Sequence, residues 1–503
     1  MPKDVDRPFS VAWQAPEQTR LGKMAEQADR AGAAALTASG GKAPRSGFFL
    51  LDKPAAAFNT RLALIEAAER TLDIQSYAIH ADESTEQLFA ALRQAAARGV
   101  RVRLLLDDFN TAGKNASVLA LAYEPGMALR LFNPLAGSRQ SMFWRALGAL
   151  KDADQLQRRM HNKVWVADNA MAITGGRNLG ETYFDQGSDS NFIDMDVLAS
   201  GPIVRELSES FDAYWNHPLA YPAQALALRP EPAVPDPVPI PHGPNTSIGP
   251  APGVNRQPSV VEPVSLAQLP WVWAPSRLLV DKPSKIQAGL PTSAEARDNL
   301  IDELLELMSQ AQHELLIVSA YVVPGPRIIA ALCALRQRGV RVRMLTNSLA
   351  STDAPAAHIG YARHRPALVA MGVELYEMRA RQQQPLRVLG STAESLSSLH
   401  SKAVVIDGQQ LVVGSMNLDL RSQLQNTEVA VVINSAVLAA EATRRIENTL
   451  QRDAYQIGLR EGRLVWRPAS GSDLNDGVVE PDASLGRKML LWLLAPFAHD
   501  ELL

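Results

Sequence analysis

The sequence carries the same arrangement of polar residues twice, and this duplication constrains the fold more than any other feature. In each copy a histidine is followed by a lysine two residues later, an aspartate seven residues later and then the pattern Gly-[Gly/Ser]-x-Asn. The first copy begins at His161 and the second at His400, 239 residues further on. The string Arg-Gly-Val-Arg-Val-Arg also occurs twice, at residues 98 and 338, which are 240 residues apart. This near-constant offset indicates a duplicated unit rather than two chance motifs.

Each unit shows helices alternating with short apolar strands. In the first unit, the residue pattern predicts a helix over 85–98, a C-cap at Gly99 and a strand over 100–107. The second unit repeats this order with a helix over 327–338 and a strand over 340–345. Such alternation is typical of α/β proteins. We therefore expect two α/β lobes, each with a mixed sheet flanked by helices, and one composite active site at the pseudo-twofold axis between them.

A proline-rich tract separates the two units. Nine of the 23 residues from 230 to 252 are proline, and this composition predicts an extended surface linker because proline lacks a backbone N–H. The predicted division of the chain is an N-terminal tail (1–45), a first lobe (46–229), the linker (230–262), a second lobe (263–450) and a C-terminal extension (451–503).

The charge and hydropathy of the sequence bear on whether the protein binds nucleic acid or a membrane. The net charge of −3 gives no overall bias toward nucleic acid, so any phosphate recognition has to be local. We see no signal peptide in the first 18 residues and no apolar run long enough to span a membrane. Two shorter stretches, the aromatic and basic stretch 142–147 and the apolar patch 489–497, are candidates for contact with a membrane surface, although core packing explains either equally well.

Each motif predicts a β-hairpin that presents its histidine and lysine together. Residues two apart on a strand share a face, so His161 and Lys163 should project to the same side, as should His400 and Lys402. The glycines that follow allow close approach of the backbone to a ligand. The last residue of each motif, Asn178 or Asn417, adds an amide donor. The hairpin strands are predicted over 164–166 and 171–173 in the first copy, and over 404–406 and 411–413 in the second.

Two histidines, two lysines and two asparagines around one point suit a phosphodiester. The lysines and asparagines would neutralise the non-bridging oxygens as charge develops on them. One imidazole would attack phosphorus, while the other protonates the leaving alcohol and then deprotonates the incoming one. Imidazole titrates close to neutrality, which makes both roles accessible.

A nucleophilic histidine needs an acceptor on its second ring nitrogen. Asp196 and Glu428, in strand-like segments downstream of the motifs, are the predicted acceptors. Asp168 and Asp407 fall at the hairpin turns, and we expect them to brace the hairpins rather than to react.

Less specific interpretations of these residues exist. A single His-x-Lys strand is usually a solvated edge, but duplication with matched asparagines favours catalysis. A metal site is disfavoured because lysine is a poor ligand and no Asp/His cluster with ligand spacing surrounds it. The strand arginines of the repeated string are expected to be solvated; they are Arg101, Arg103, Arg341 and Arg343.

The two motifs resemble those of the phospholipase D superfamily, over most of residues 46–503. The resemblance narrows to bacterial cardiolipin synthases, the C-type in particular. The stretches that carry it include Leu72–Gln75, Arg101–Asp108, Arg159–Lys163, Gly175–Gly180, Tyr183–Phe184, Gly414–Asp419 and Asn426–Glu428.

The resemblance implies a role for each site residue. His161 would form a phosphatidyl-histidine, and His400 would act as general acid and base. Asp196 and Glu428 would orient the two histidines, and no metal or other cofactor would be required. The phosphate would be held by Lys163, Lys402, Asn178 and Asn417.

The resemblance also implies phospholipid substrates and a phosphatidyltransferase. The product would be cardiolipin, made from phosphatidylglycerol and a second phospholipid, with phosphatidylethanolamine the donor associated with the C-type. Cardiolipin itself is a further candidate substrate. We expect a peripheral membrane protein on the cytoplasmic face of the inner membrane, with no nucleic-acid partner. The alternatives are a hydrolase that uses water as the acceptor, and a phosphoanion-binding scaffold without turnover.

Overall fold

The computed structural model describes residues 5–36, 45–111, 113–135, 153–187, 190–226, 264–287, 299–380, 396–468, 476–477 and 479–495. The proline-rich linker and the aromatic stretch 142–147 lie outside the described residues.

The first lobe is built on a nine-stranded mixed sheet. Strands β2, β3 and β4 are parallel to one another and the other neighbours are antiparallel, in the order β10-β1-β8-β6-β5-β2-β3-β4-β9. Its strands are β1 (Ser46–Leu51), β2 (Thr71–Ser76), β3 (Arg101–Asp107), β4 (Met127–Phe132), β5 (Val164–Ala167), β6 (Met171–Gly175), β8 (Asp196–Ser200), β9 (Ala220–Pro222) and β10 (Val272–Ala274), while β7 (Ser190–Ile193) lies outside this sheet. The helices of this half are α1 (Arg20–Leu36), α2 (Pro54–Ala67), α3 (Glu83–Ala97), α4 (Ala153–Gln157), α5 (Pro202–Trp215) and α6 (Ala223–Leu226), with 3-10 turns at Pro16–Gln18, Gly113–Tyr123 and Glu181–Tyr183.

The second lobe repeats the first. Its sheet order is β11-β20-β18-β17-β12-β14-β15-β21-β22, so eight consecutive strands correspond one to one with those of the first sheet. The strands of this half are β11 (Ser276–Val280), β12 (Glu314–Val318), β13 (Val322–Val323), β14 (Arg341–Asn347), β15 (Glu374–Met378), β16 (Leu396–Leu399), β17 (Ala403–Ile406), β18 (Gln410–Gly414), β19 (Leu418–Asp419), β20 (Val429–Asn434), β21 (Ala454–Arg460) and β22 (Arg463–Pro468). Its helices are α7 (Leu300–Ser309), α8 (Pro326–Gln337), α9 (Pro355–Ala370), α10 (Leu420–Leu424), α11 (Ala436–Arg452) and α12 (Leu485–Leu494), with 3-10 turns at Leu266–Gln268 and Pro283–Ile286. The predicted duplicated α/β fold is confirmed.

A glycine follows the equivalent helix in each lobe. Gly99 follows α3 with φ +92° and Gly339 follows α8 with φ +83°. In both places the next residue donates its N–H back into the last helical turn: Val100 to Ala95 O and Val340 to Leu335 O, each at 3.1 Å. Glycine adopts this left-handed conformation without steric cost, and the chain then enters β3 or β14.

The lobes share a hydrophobic core. Val164 and Val197 of the first sheet belong to the same buried cluster as Val405 and Val431 of the second sheet. Each lobe also has a separate core between its sheet and its own helices. The two sheets are therefore held against each other by burial of apolar surface, and the hairpins β5–β6 and β17–β18 face each other across that interface.

Several predicted domain boundaries differ from the structure. Strand β10 was expected in the second lobe, but it pairs with β1 of the first, Val272 opposite Phe48. The expected C-terminal extension begins with β21 and β22, which complete the second sheet. The expected N-terminal tail packs on the first lobe, where Ala12 N donates to Asp212 Oδ2 at 2.7 Å.

Two of the strand arginines are buried, contrary to expectation. Arg103 is 1% exposed and forms ion pairs with Asp73 at 2.6 Å and Asp212 at 2.7 Å. Arg343 is 4% exposed and pairs with Glu314 at 2.9 Å and with Glu447. The reason is tertiary: α5 carries Asp212 and α11 carries Glu447, and each helix covers the strand face that the arginine occupies.

Candidate active site

Both predicted hairpins form, and each histidine lies just before the first strand of its hairpin. Val164 pairs with Thr174 in the first hairpin, and Ala403 pairs with Val413 in the second. The lysine two residues after each histidine folds back on it. Lys163 Nζ donates to His161 O at 2.8 Å, and Lys402 Nζ donates to His400 O. All four side chains are almost fully buried.

The two histidines are held by carboxylates from the opposite lobe. His161 Nδ1 lies 2.9 Å from Glu428 Oε2, and His400 Nδ1 lies 2.7 Å from Asp194 Oδ2. A buried carboxylate is an acceptor, which assigns the proton to Nδ1 in each ring. The Nε2 atoms then carry the lone pairs that chemistry at phosphorus requires.

Backbone hydrogen bonds hold each histidine against the lobe that supplies its carboxylate. His161 N donates to Thr427 O at 2.9 Å, and Thr427 N donates to Arg159 O at 3.0 Å. On the other side of the pseudo-twofold, β7 pairs in parallel with β16, and His400 N donates to Ile193 O at 2.8 Å. Each histidine is thus bonded through its backbone to the segment that supplies its carboxylate.

The prediction that Asp196 orients a histidine is wrong; Asp194 does so. Asp196 opens β8 opposite Gly175, and its carboxylate pairs with Arg61 at 2.9 Å and Arg177 at 3.4 Å. Asp194 precedes the strand, where the chain has left the first sheet and reaches the second lobe. Because Gly414 pairs with Ala430 as Gly175 pairs with Asp196, Glu428 is the structural counterpart of Asp194. The prediction for Glu428 agrees with the observed contact.

The two carboxylates have different surroundings. Glu428 accepts hydrogen bonds from the hydroxyls of Ser415 and Ser422, and the pKa of Glu428 is lowered because His161 and Lys163 outweigh its burial. Burial raises the pKa of Asp194 despite Lys402 beside it.

A single residue of the motif accounts for part of this difference. A side-chain Cβ at Gly176 would lie 2.2 Å from Asp194 Oδ1, so glycine is required there. At the equivalent place in the second motif stands Ser415, whose hydroxyl bonds the longer Glu428. The Gly-Gly and Gly-Ser variants of the motif thus match the carboxylate that each receives.

Burial and mutual repulsion shift the two histidines and the two lysines of the site toward their neutral forms. The pKa of His161 is lowered to about 4 by burial and by Lys163, although Glu428 opposes this. Burial, with Lys402 next, lowers the pKa of His400 well below its usual value, and His161 contributes to that shift. The pKa of Lys163 is lowered to about 7 by burial, and Lys402 is shifted in the same direction. The charge of an anion placed among these groups would oppose the shifts, so the site favours binding of a phosphate.

Both motif asparagines are buried beside the histidines. Asn178 Nδ2 lies 2.8 Å from Tyr183 Oη. Asn417 is held by its own backbone N–H, which donates to Ser422 Oγ at 3.1 Å. In the part of the chain that the structure describes, Oδ1 of both asparagines lacks a hydrogen-bond partner. Amide oxygen and nitrogen interchange by rotation of the group, which leaves each side chain one polar position for a ligand.

Two residues that the sequence motifs did not identify hold the histidine segments in place. Asp107 Oδ2 accepts from Met160 N, and Asn347 Oδ1 accepts from Leu399 N, both at 2.8 Å. Met160 and Leu399 immediately precede the histidines. Asp107 and Asn347 end the equivalent strands β3 and β14, so the 240-residue offset of the repeated string was a signal that could have identified them.

Aromatic rings complete the walls of the site. Tyr77 meets the ring of His161 edge-on at a centroid distance of 4.9 Å. Tyr183 and Phe192 contact the ring of His400 at 5.2 and 5.1 Å. No spacing rule in the sequence identifies Phe192, because β7 reaches His400 only through the pairing of the lobes.

Asp168 and Asp407 lie at the hairpin turns, as expected, and accept hydrogen bonds from backbone N–H groups. Both adopt left-handed φ angles at their turns, +53° and +50°. Asp168 accepts hydrogen bonds from the backbone N–H groups of residues 69–71, and Asp407 from those of residues 312–314. Each aspartate therefore joins its hairpin to the start of the adjacent central strand.

Two further observations bear on cofactors and membranes. Among the described residues, no three His, Cys, Asp or Glu side chains come together as a group that could hold a metal ion. Within the same residues, no helix combines the length and apolarity needed to cross a membrane.

Comparison with known proteins gives consistent results. The family described as cardiolipin synthase, PLD-like domain, matches residues 62–215 and 304–452. Cardiolipin synthase C of Escherichia coli is 38% identical over 426 residues, which cover 84% of this chain and 88% of that protein. Cardiolipin synthase B of Salmonella typhi is 25% identical over 78% of each chain. Among solved structures, phosphatidylserine synthase of Haemophilus influenzae has a similar fold, with a TM-score of 0.58, 13% identity and coverage of 95% of this chain and 98% of that one.

Proposed function

The chain belongs to the cardiolipin synthase family with a phospholipase D-like domain, and from this premise we propose that it makes cardiolipin by transferring a phosphatidyl group between two phospholipids. The observation that carries the proposal is the crossed pairing of His161 with Glu428 and His400 with Asp194, which leaves two Nε2 atoms beside two lysines. Such a site can form and resolve a covalent intermediate at a single phosphorus atom.

In the first step, His161 Nε2 attacks the phosphorus of the donor phospholipid. A P–N bond forms and the P–O bond to the headgroup alcohol breaks, while protonated His400 donates its Nε2 proton to the departing oxygen. Glu428 accepts the Nδ1–H of His161 and stabilises the positive charge that develops on the ring.

In the second step, neutral His400 takes the proton from a hydroxyl of the acceptor. The acceptor oxygen attacks phosphorus, the P–N bond breaks, and His161 returns to its neutral form. With phosphatidylglycerol as acceptor the products are cardiolipin and the headgroup alcohol of the donor. Asp194 holds the His400 ring in the same orientation through both steps.

Binding of the phosphodiester favours the protonated His400 that the first step requires. In the empty site burial and the lysines hold His400 in its neutral form, with a lowered pKa. The phosphodiester anion offsets the charge of Lys163 and Lys402 and favours a proton on His400, so the general acid forms together with the enzyme–substrate complex. Asn178 and Asn417 supply amide groups to the remaining phosphate oxygens.

The acceptor decides between a transferase and a hydrolase, because the covalent intermediate is common to both. The family membership supports transfer to a second lipid. As donor we propose phosphatidylethanolamine, with phosphatidylglycerol as acceptor. We place the protein at a membrane surface, where both lipids lie, and on the cytoplasmic face of the inner membrane.

Vesicles of defined composition test the proposed reaction. We expect vesicles of phosphatidylethanolamine and phosphatidylglycerol to yield cardiolipin and free ethanolamine, measured by mass spectrometry. Vesicles of phosphatidylglycerol alone establish whether glycerol is also released by self-transfer. Phosphatidic acid without cardiolipin in both mixtures would establish the hydrolase instead, and no product in either would refute the proposal.

A further inference from the structure

The C-terminal helix α12 presents its apolar side chains to solvent. Leu485, Met489, Trp492 and Leu493 are 80%, 65%, 77% and 56% exposed. Positions 485, 489, 492 and 493 follow the i, i+4, i+7, i+8 spacing of one helical face. We refer to these four side chains as the outer face of α12. An exposed apolar patch of this kind marks a binding surface more often than a solvated one.

The outer face is not the result of a loosely attached helix. Leu491, Leu494 and Ala495 pack against Val323 and Ile359. Arg487 Nη1 donates to Leu349 O at 2.8 Å and Ala350 O at 2.6 Å. The segment before the helix is fixed as well.

Two contacts anchor that preceding segment. Glu480 pairs with buried Arg365 at 2.7 Å, and Asp482 accepts from Tyr455 Oη at 2.9 Å. The protein thus holds α12 in place by contacts on its inward side, including those of Leu491 and Leu494, and leaves the outer face exposed.

Two independent contacts place α12 beside the active site. Val323, against which Leu491, Leu494 and Ala495 of the C-terminal segment pack, lies in β13. Strand β13 pairs with β19, and β19 begins directly after Asn417. The carbonyls that Arg487 binds precede Asp353, whose carboxylate accepts from Tyr321 Oη at 2.8 Å. Asp353 also acts on His400, since its charge raises the pKa of that histidine against burial and Lys402.

We propose that the outer face of α12 docks on the surface of a phospholipid bilayer and so presents the adjacent active site to its lipid substrates. This rests on the proposed function, because a site that acts on phospholipids has to meet them where their headgroups lie. A ten-residue helix is about 15 Å long, and tryptophan with leucine and methionine is the side-chain set that inserts at the boundary of headgroups and acyl chains. A second copy of the chain is the competing occupant.

Vesicle flotation with the full chain tests the proposal. The variant Met489→Ser/Trp492→Ser/Leu493→Ser should bind phosphatidylethanolamine–phosphatidylglycerol vesicles at least about tenfold more weakly than the wild type. Val437→Ser, which removes a 63% exposed apolar side chain from α11, is the matched control and should bind as the wild type does. Urea unfolding midpoints establish that both variants are folded.

Turnover measured with two substrate forms separates docking from chemistry. The triple variant should lose activity on vesicles in proportion to binding, yet stay within about twofold of the wild type on a short-chain phospholipid dissolved as monomers. His161→Ala should float normally and turn over neither substrate. If the wild type floats but makes no phosphatidyl-transfer product, the proposed function fails while docking stands.

Other outcomes overturn the docking proposal. Equal flotation of triple variant and wild type would do so. So would a sedimentation mass that falls from dimer to monomer in the triple variant with vesicle binding unchanged, since the face would then be an interface between copies.

Discussion

At the scale of single residues, the site holds cations in a place that disfavours their charge. Lys163 and Lys402 are buried against the carbonyls of their own histidines, and burial lowers the pKa of both. The side chains that a phosphate requires therefore reduce the stability of the empty protein. This conflict is typical of functional sites, where charge is prepared for a ligand rather than for the fold.

We expect Lys163→Met to make the protein more stable at neutral pH while abolishing turnover. The unfolded chain keeps the lysine proton up to the usual pKa of 10.5, whereas the folded chain loses it near pH 7. Between these values the unfolded state binds more protons, so the contribution of Lys163 to the free energy of unfolding rises with pH by about 1.4 kcal/mol per unit. Urea unfolding at pH 7, 8 and 9 should show that the excess free energy of unfolding of Lys163→Met over the wild type shrinks with pH, approaching about 1.4 kcal/mol per pH unit above pH 7.

Exposed Lys23 on α1 provides the matched control. Lys23→Met should change the free energy of unfolding by the same small amount at all three pH values. A constant difference between wild type and Lys163→Met across the range would contradict the assignment of a buried, shifted lysine.

At the scale of elements, the hairpins are positioned by aspartates at their turns. Asp168 and Asp407 each accept three backbone N–H groups from the segment that leads into β2 or β12. The carboxylates thereby fix the register between a hairpin and the central parallel strands. This explains why an aspartate seven residues after the histidine belongs to the motif although it does not contact the reacting atoms.

We expect Asp168→Ala to cost about 3 kcal/mol of stability and Asp407→Ala about half as much. Asp168 is fully buried and its loss leaves three backbone N–H groups without their acceptor, whereas Asp407 is partly exposed and water can replace it more easily. Turnover per folded molecule should change by less than about threefold in both. Urea unfolding and vesicle assays measure the two effects, with exposed Asp29→Ala as control. A large loss of turnover without loss of stability would instead make these aspartates catalytic.

At the scale of the whole molecule, neither lobe contains a complete catalytic unit. The first lobe supplies His161 and Asp194, and the second supplies His400 and Glu428, but each histidine is bonded to the carboxylate of the other lobe. The shared core and the β7–β16 pairing hold this arrangement together. Duplication therefore produced one site with two distinct halves instead of two sites.

A donor phospholipid with a 4-nitrophenyl headgroup distinguishes the two halves. Nitrophenolate departs without a proton, so formation of the phosphatidyl-histidine needs His161 and Glu428 but not the general acid. We expect His400→Ala and Asp194→Asn to release a burst of about one nitrophenolate per protein and then stall. His161→Ala and Glu428→Gln should give no burst, because the first variant lacks the nucleophile and the second lacks the carboxylate that orients it. Absorbance of nitrophenolate in stopped flow measures the burst.

Asp196→Asn is the control for the neighbouring carboxylate. Asp196 contacts Arg61 and Arg177 and no histidine, so the folded fraction of this variant should show normal burst and turnover. A burst in Glu428→Gln together with none in Asp194→Asn would contradict the assignment of His161 as nucleophile.

The sequence by itself determined the duplicated α/β fold, the hairpins and the histidine, lysine and asparagine pairs. These features depend on short-range spacing and on a repeat offset, both of which are visible in one dimension. The helix ends at Gly99 and Gly339 follow from the same local rule, since they depend only on backbone conformation.

The tertiary structure alone decided which carboxylate meets which histidine. Asp194 and Asp196 are equivalent candidates along the chain, and only the pairing of β8 with β6 and of β7 with β16 sends one to His400 and the other to Arg61. The burial of Arg103 and the assignment of β10 to the first lobe were decided in the same way. The physical reason is that contacts between segments hundreds of residues apart depend on how two sheets pack, which no local spacing encodes.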